Sequence, residues 1–194
     1  MIYNIQDRDI DLLRRAGVSD EDIEHSVRVA RKALEIAERT GVPMDMELVG
    51  RGALFHDLGK ARSHQIDHGK IGAQIGESLG LPVTVKDIME KHIRGGLTEE
   101  EARELGLPVK DYTPRAIEER IVIYADRLVD IITDRIVEMR SEKEAEEGFE
   151  EILEKYPKYG KNEKTLKRYL AYHREIQQLM RNAAELDPDV KPQD

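Results

Sequence analysis

Apolar residues recur along most of the chain with the period of an α-helix, and no stretch shows the two-residue alternation of a β-strand. The segment 20–40 is an example, because one face of the helix it would form carries Ile23, Val27, Ala30, Leu34 and Ala37. Ser19 is placed to cap this helix and Gly41 to end it in a left-handed turn. The pattern predicts an all-α fold.

The same signals predict about eight helices. Besides 20–40, they cover about 46–58, 68–79, a short helix from 84, another after Thr98, then 114–140, 141–155 and 163–186. We expect a single domain over residues 1–194, with a helical-bundle core over about 19–140, a C-terminal helical extension over 141–186 and a disordered tail over 187–194. The extension offers too little apolar surface for a core of its own.

Composition narrows the class of protein. With 39% apolar and 37% charged residues over 194 positions, the chain suits an ordinary domain with a hydrophobic core. It has no apolar run near the roughly 20 residues of a membrane span, and its first residues lack a signal-peptide pattern. We therefore expect a cytoplasmic protein without membrane contact. A net charge of −9 disfavours non-specific binding to nucleic acid.

The chain contains no cysteine, so any metal must be bound by nitrogen and oxygen atoms. Five of the six histidines lie between residues 25 and 92. His56 and Asp57 are adjacent at the end of an apolar helix, where local unwinding would let both reach one ion. Asp126 lies in the apolar sequence IVIYADRLVDII, where a buried carboxylate without a partner would cost several kcal/mol. These residues predict a metal site.

Three segments carry a more specific signal: HSVRVA, LFHDLGK and YADRLVD, which contain His25, His56-Asp57 and Asp126. Together they resemble the HD-domain superfamily of metal-dependent phosphohydrolases over about residues 19–135. The Leu-Gly-Lys sequence after the His-Asp pair resembles the HDIG type of that superfamily. The similarity is greatest to small uncharacterised archaeal HDIG proteins, as far as residue 130.

The resemblance implies an all-α HD-domain bundle that binds one or two divalent transition metal ions, such as manganese, iron, cobalt, nickel or zinc. HDIG members have two further histidines, matched here by His68 in HGKIGA and His92 in IMEKHI. By this match the first ion is bound by His25, His56, Asp57 and Asp126. The second is bound by His68, His92 and Asp57, which bridges the two ions.

Other polar residues are candidates for catalysis or substrate binding. Lys60 follows the His-Asp pair, where its ammonium could bind a substrate phosphate and take part in catalysis with Asp57. Further substrate contacts are expected among Arg28, Arg94, Arg115 and Arg127. Asp130 is one turn from Asp126 and could orient a metal ligand or pair with an arginine of another helix. His64 has no matched position and is either a surface histidine or a residue at the mouth of the site.

The resemblance implies metal-assisted hydrolysis of a nucleotide or another small phosphoester. The stretch from His92 to Asp130 is also similar to bacterial HD proteins that cleave diadenosine tetraphosphate, whereas the His-His pair and Gly-Tyr-Pro segment of cyclic-di-GMP phosphodiesterases are missing. Two alternatives stay open. One is a mixed-valent di-iron oxygenase with the same six ligands, and the other is a non-catalytic, metal-stabilised module that senses a ligand. The charged C-terminal helices could also form a homodimer contact.

Overall fold

The computed structural model describes residues 3–139 and 141–186, which form helices and no β-strand. The α-helices of this part of the chain are α1 (Asp7–Ala16), α2 (Asp20–Thr40), α3 (Met46–Phe55), α4 (His68–Ser78), α5 (Val83–Lys91), α6 (Glu99–Glu104), α7 (Ile117–Thr133), α8 (Glu142–Glu147), α9 (Phe149–Lys155), α10 (Pro157–Gly160) and α11 (Glu163–Leu186). Short 3-10 helices cover Leu58–Ala61 and Ile93–Gly95. The predicted all-α class is confirmed. None of the helices in the described ranges is long and apolar enough to cross a bilayer, and the tail 187–194 lies outside those ranges.

Helices α2, α3 and α7 form the centre of the bundle and pack against one another. Their facing side chains are buried completely, for example Val29, Ala53 and Ile121. Helix α2 has the predicted bounds, because Ser19 accepts a backbone N–H of the first turn and Gly41 ends the helix with a φ of 64°. Predicted metal ligands lie on α2 and α7 and directly after α3, so the packing of these helices brings residues distant in sequence to one place.

Helix α7 is shorter than the predicted helix 114–140. It begins at Ile117, because the carboxylate of Glu119 and not Thr113 accepts the two preceding backbone N–H groups, at 2.6 and 3.1 Å. It ends at Thr133, and Arg135 then takes a positive φ of 55° that an α-helix excludes. The predicted start at residue 114 was therefore three residues too early.

The other differences from the predicted helices arise at turns. The predicted helix 46–58 ends at Phe55, where the chain turns through His56 and Asp57 into a 3-10 helix. Gly148 divides the predicted helix 141–155 into α8 and α9. Helices α1 and α10 were not predicted, although α1 has acidic residues in its first turn, arginines in its last and Gly17 at its end with a φ of 92°. The bundle therefore has more and shorter helices than the predicted eight.

The helical extension packs on the central helices. Helix α11 contacts α2 and α7, and its Tyr169 and Ile176 are buried in the main hydrophobic cluster. The hydroxyl of Tyr169 accepts a hydrogen bond from Arg127 at 2.9 Å, and the hydroxyl of Tyr172 donates to the carbonyl of Gly95 at 2.8 Å. The extension therefore reaches the segments that carry the predicted substrate-binding arginines.

Arg168 links α11 to the segment that follows α5 through hydrogen bonds. Its guanidinium donates to both carboxylate oxygens of Glu101, at 2.8 and 3.1 Å, and to the carbonyl of Arg94, at 3.3 and 3.2 Å. Burial raises the pKa of Glu101, but hydrogen bonds from Arg168 and Thr98 bring that pKa below its usual value. Because the pKa is lower in the folded state, the ionised Glu101 stabilises the fold above the ordinary glutamate pKa. This contribution is lost as the pH falls through the lowered pKa.

We expect Glu101→Gln to lower the free energy of unfolding at neutral pH by about 2 kcal/mol, because Arg168 loses its charged partner. Urea unfolding measured from neutral pH down to about pH 3 should show the difference from wild type shrinking as Glu101 becomes protonated. Glu104→Gln, an exposed position of the same helix, is the matched control and should change stability by less than about 0.5 kcal/mol. A loss for Glu101→Gln that does not change with pH would contradict the assignment.

Candidate metal centre

His56 and Asp57 lie where α3 changes into the 3-10 helix, and both are buried, at 0% and 3% exposure. Gly59 follows in close contact with the first turn of α4. A Cβ atom on Gly59 would lie 1.8 Å from the carbonyl oxygen of His68. The absence of a side chain at this position therefore lets α4 approach and places His68 beside Asp57.

One carboxylate oxygen of Asp57 faces the residues predicted to bind the first ion. Asp57 Oδ2 is 3.2 Å from His56 Nε2 and 3.8 Å from His25 Nε2. Asp126 on α7 closes the group, since its Oδ1 is 3.1 Å from His25 Nε2 and 3.3 Å from His56 Nε2. The packing of α2, α3 and α7 thus brings these four side chains to one point.

The other oxygen of Asp57 faces the residues predicted to bind the second ion. Asp57 Oδ1 is 3.1 Å from His68 Nε2 and 3.4 Å from His92 Nε2, and the two imidazole nitrogens are 3.1 Å apart. Three sets of side chains have the spacing of potential metal ligands: His25, His56 and Asp57; Asp57, His68 and His92; and His25, Asp126 and Asp130. Asp57 lies between the histidines of the first two sets with one oxygen towards each pair, which is the position of a bridging carboxylate.

Hydrogen bonds to the main chain direct three of the imidazoles. The Nδ1 atoms of His56, His68 and His92 lie 2.6, 2.6 and 2.7 Å from the backbone carbonyl oxygen three residues earlier. A carbonyl oxygen can only accept, so each Nδ1 carries a proton and each Nε2 offers a lone pair to the centre of the group. His56 Nε2 is buried and makes no well-directed hydrogen bond to the described residues, although Asp57 Oδ2 and Asp126 Oδ1 lie 3.2 and 3.3 Å away. Nitrogen and oxygen acceptors arranged in this way suit a divalent transition metal ion.

The electrostatics of the group also favour a bound cation. Burial raises the pKa values of Asp57 and Asp126, but the neighbouring histidines, His56 above all, bring both well below the usual value, so both stay ionised. Burial lowers the pKa of His56, but the charges of Asp57 and Asp126 raise it well above its usual value. The buried carboxylate of Asp57 and the partly buried one of Asp126 therefore need a positive charge beside them. A metal ion supplies that charge and leaves Nε2 of His56 unprotonated.

A cavity of about 310 Å³ lies in front of these ligands. The cations of its wall are Lys60, Arg94, Arg127 and Lys161. The Nζ atom of Lys60 is 2.6 Å from Asp57 Oδ2 and 3.7 Å from Asp22 Oδ1. Lys60, Arg94 and Arg127 thus lie where their predicted roles need them, and those roles remain predictions.

Two arginines predicted to contact substrate do not reach the cavity. Arg28 pairs with Glu24 and lines a separate groove beside α1. Its position three residues after His25 turns it about 60° away around α2, so Arg28 does not line the cavity in front of the metal ligands. Arg115 is exposed and pairs with Asp111.

Asp130 and Arg127 form an ion pair at the cavity wall, with Asp130 Oδ2 2.8 Å from Arg127 Nη1. Asp130 therefore pairs with an arginine of its own helix, and not of another helix as the sequence allowed. Burial and the charge of Asp126 raise the pKa of Asp130 to about 6. The second amino group of Arg127 donates to Tyr169, so this guanidinium is held in place from two sides.

His64 lies at the mouth of the cavity, with its side chain 65% exposed and Nε2 3.3 Å from Asp22 Oδ2. Both interpretations offered by the sequence are therefore compatible with its position. Asp22, which also contacts Lys60, was missed because an acidic residue in the first turn of a helix has an ordinary explanation. Lys161 was missed because it lies outside every matched segment, and no local pattern around it indicates a site.

Comparison with known proteins identifies a family and several relatives. The family model described as HD domain matches residues 22–129. An uncharacterised protein of Methanocaldococcus jannaschii is 39% identical over 167 residues, which make up 84% of this chain and 92% of that protein. The tRNA (cytidine(56)-2'-O)-methyltransferase of Picrophilus torridus is 39% identical over 135 residues, which make up 70% of this chain but 38% of that enzyme.

A solved structure shares the fold. The HD domain of the L. monocytogenes phosphodiesterase PgpH, in complex with cyclic-di-AMP, superimposes with a TM-score of 0.59. The alignment covers 95% of this chain and 100% of that chain, with 17% sequence identity. At this level of identity the likeness shows a common architecture.

Proposed function

The chain belongs to the HD domain family, and on this premise we propose that it is a metal-dependent phosphohydrolase of a nucleotide or another small phosphoester. The observation that carries the proposal is the position of Asp57, with one oxygen towards each group of imidazoles. Two divalent transition ions bound by these groups would polarise a phosphoryl oxygen and lower the pKa of a water. Manganese, iron, cobalt, nickel and zinc all suit a set of imidazole and carboxylate ligands.

The cations beside the ligands would bind and orient the phosphate. Lys60 has its ammonium within 2.6 Å of the bridging carboxylate, so its charge acts close to the reacting phosphoryl group. Arg127 already donates to Asp130 and Tyr169. It therefore contributes a fixed positive charge at the wall, while Lys60 is the cation placed to donate to a phosphoryl oxygen.

The size of the site supports a small substrate. A volume of about 310 Å³ is at the lower end of the range for small-molecule sites, roughly 300–1,000 Å³. An acidic protein can still bind a phosphate here, because ions and cationic side chains would dominate the local field. The PgpH domain, which has the same architecture, forms a complex with a cyclic dinucleotide, and this supports a nucleotide as substrate.

We expect the purified protein to contain up to two transition metal ions per chain and to release phosphate or a nucleotide from a panel of nucleotides and aryl phosphates. Removal of the ions by a chelator should abolish turnover and lower the melting temperature, because metal binding stabilises the folded state. Adding back manganese, cobalt, nickel, iron or zinc one at a time would restore turnover and identify the activating ion. Elemental analysis measures the ion content, product chromatography measures turnover, and thermal unfolding measures the melting temperature.

The outcome of this experiment distinguishes the phosphohydrolase from the oxygenase and from the non-catalytic module. Turnover that requires oxygen, together with the EPR signal of a mixed-valent di-iron centre, would replace hydrolysis by oxygenase chemistry. Metal-dependent stability without turnover of any phosphoester would indicate a non-catalytic module. Phosphate release under anaerobic conditions with zinc, which has no redox chemistry, would exclude both.

A further inference from the structure

Lys161 is the cation of the cavity wall that comes from the helical extension, beyond the residues 22–129 that match the HD domain family. It lies between α10 and α11. Its N–H donates to the carbonyl of Pro157 at 2.9 Å, and the next residue, Asn162, accepts the N–H of Thr165 at 2.8 Å to cap α11. Hydrogen bonds at both ends thus stabilise the turn that brings Lys161 to the cavity.

The backbone at Lys161 has a conformation that residues with a side chain seldom adopt, with a φ of 63° and a ψ of −88°. Arg94 also has a positive φ, of 50°. Only three non-glycine residues in the described part of the chain have a positive φ, and these two both line the cavity. A glycine would fit either position without strain, so at both positions the chain has a charged side chain in spite of the backbone strain.

Lys161 and Arg94 have no charged partner in direct contact among the described residues. Among the residues that the structure describes, neither side chain forms an ion pair or a hydrogen bond. Lys60 and Arg127, by contrast, pair with Asp57 and Asp130. Burial and the positive charges of Arg127 and Arg94 lower the pKa of Lys161 by more than Asp130 raises it. Among the described residues, the cavity wall has four cations, Lys60, Arg94, Arg127 and Lys161, and three carboxylates, Asp57, Asp126 and Asp130.

We propose that Lys161 and Arg94 bind a second phosphate group of the substrate, beside the phosphate that reacts at the metal centre. This rests on the proposed function and narrows the substrate to compounds with two or more phosphates, such as nucleoside oligophosphates or dinucleotides. The extension supplies Lys161 directly, and its Arg168 holds the carbonyl of Arg94. The extension is thus an element of substrate selection.

The binding of phosphonates, which are not hydrolysed, tests the proposed second phosphate site directly. Calorimetry on the manganese-loaded protein would compare methylphosphonate with methylenediphosphonate and propane-1,3-diphosphonate, whose phosphonate groups are spaced differently. We expect Lys161→Ala to weaken binding of at least one diphosphonate about tenfold, because a charge-assisted contact is lost. Methylphosphonate should bind as in wild type, and Lys161→Arg should retain the affinity for the diphosphonate.

Two further variants distinguish the loss of the Lys161 charge from a change in the stability of the fold. Lys158→Ala removes a neighbouring lysine that pairs with Asp134 and does not line the cavity, so affinity should not change. Lys161→Gly should melt at a higher temperature than Lys161→Ala, because glycine accepts the positive φ, but should bind the diphosphonate as weakly.

The proposal is overturned if Lys161→Ala weakens neither diphosphonate, or weakens methylphosphonate by the same factor. Because binding is measured without turnover, the result does not depend on hydrolysis. A wild type that hydrolyses no phosphoester, but whose preference for a diphosphonate depends on Lys161, would refute the proposed function and leave the second phosphate site standing.

Discussion

Asp57→Asn is expected to remove both metal ions and to lower turnover ~10³-fold or more, since several kcal/mol of stabilisation of the transition state depend on the ions. Asp57 Oδ2 is 3.2 Å from His56 Nε2 and Asp57 Oδ1 is 3.1 Å from His68 Nε2, so each ion would take one oxygen. Asparagine has almost the same size but lacks the charge and presents an NH₂ group that cannot bind a cation. Elemental analysis of the purified variant and its turnover rate measure the two losses.

The controls for this variant test the bridging position itself. Asp11→Asn changes an exposed carboxylate of α1 that pairs with Arg14, and it should retain both ions and full turnover. His68→Gln should lose the second ion and keep the first. If Asp57→Asn also loses only one ion, Asp57 does not bridge.

Gly59→Ala is expected to destabilise the fold by about 3 kcal/mol or more and to release the second ion. The added Cβ would lie 1.8 Å from the carbonyl oxygen of His68 and 2.7 Å from the backbone nitrogen of Gly72. Both atoms belong to the main chain of α4, so no rotation of a side chain relieves the contact. The helix must move, and His68 moves with it away from Asp57. Urea unfolding and metal content report the two effects.

Gly76→Ala, on α4 itself, is the matched control. Its Cβ would meet only side-chain atoms of Lys86, Leu81 and Met89, at 3.3 to 3.4 Å, and these can shift. Alanine also favours the helix over glycine, so stability should stay within about 1 kcal/mol of wild type. Equal stability of Gly59→Ala and Gly76→Ala would contradict the close approach of the α4 backbone to Gly59.

The sequence predicted the parts of the molecule that depend on local pattern. Helix α2 has the expected bounds because its caps and apolar face agree. The six predicted ligands lie together because each sits in a short segment whose neighbours resemble a known family, and family resemblance carries long-range information that periodicity lacks. The start of α7 was misplaced because Glu119, inside the helix, satisfies the first N–H groups in place of the expected cap.

The lining of the cavity could not be predicted in the same way. Arg28 was expected there because it is close to His25 in sequence, but a rotation of about 60° around α2 sends it to another groove. Lys161 lies 35 positions beyond Asp126 and reaches the cavity only through the packing of α11 on α7. Contacts of this kind depend on tertiary packing, which no local pattern encodes.

The bonds from His56, His68 and His92 to carbonyls three residues earlier have a consequence for how the site can change over time. In many metal sites an acidic side chain orients each histidine, and a single substitution removes it. Here the orienting acceptors belong to the peptide backbone, which every amino acid supplies. Homologous chains can therefore have different residues around the ligands without a change in the orientation of these imidazoles. Differences in metal preference between homologues should be sought in the carboxylates and in the cavity wall.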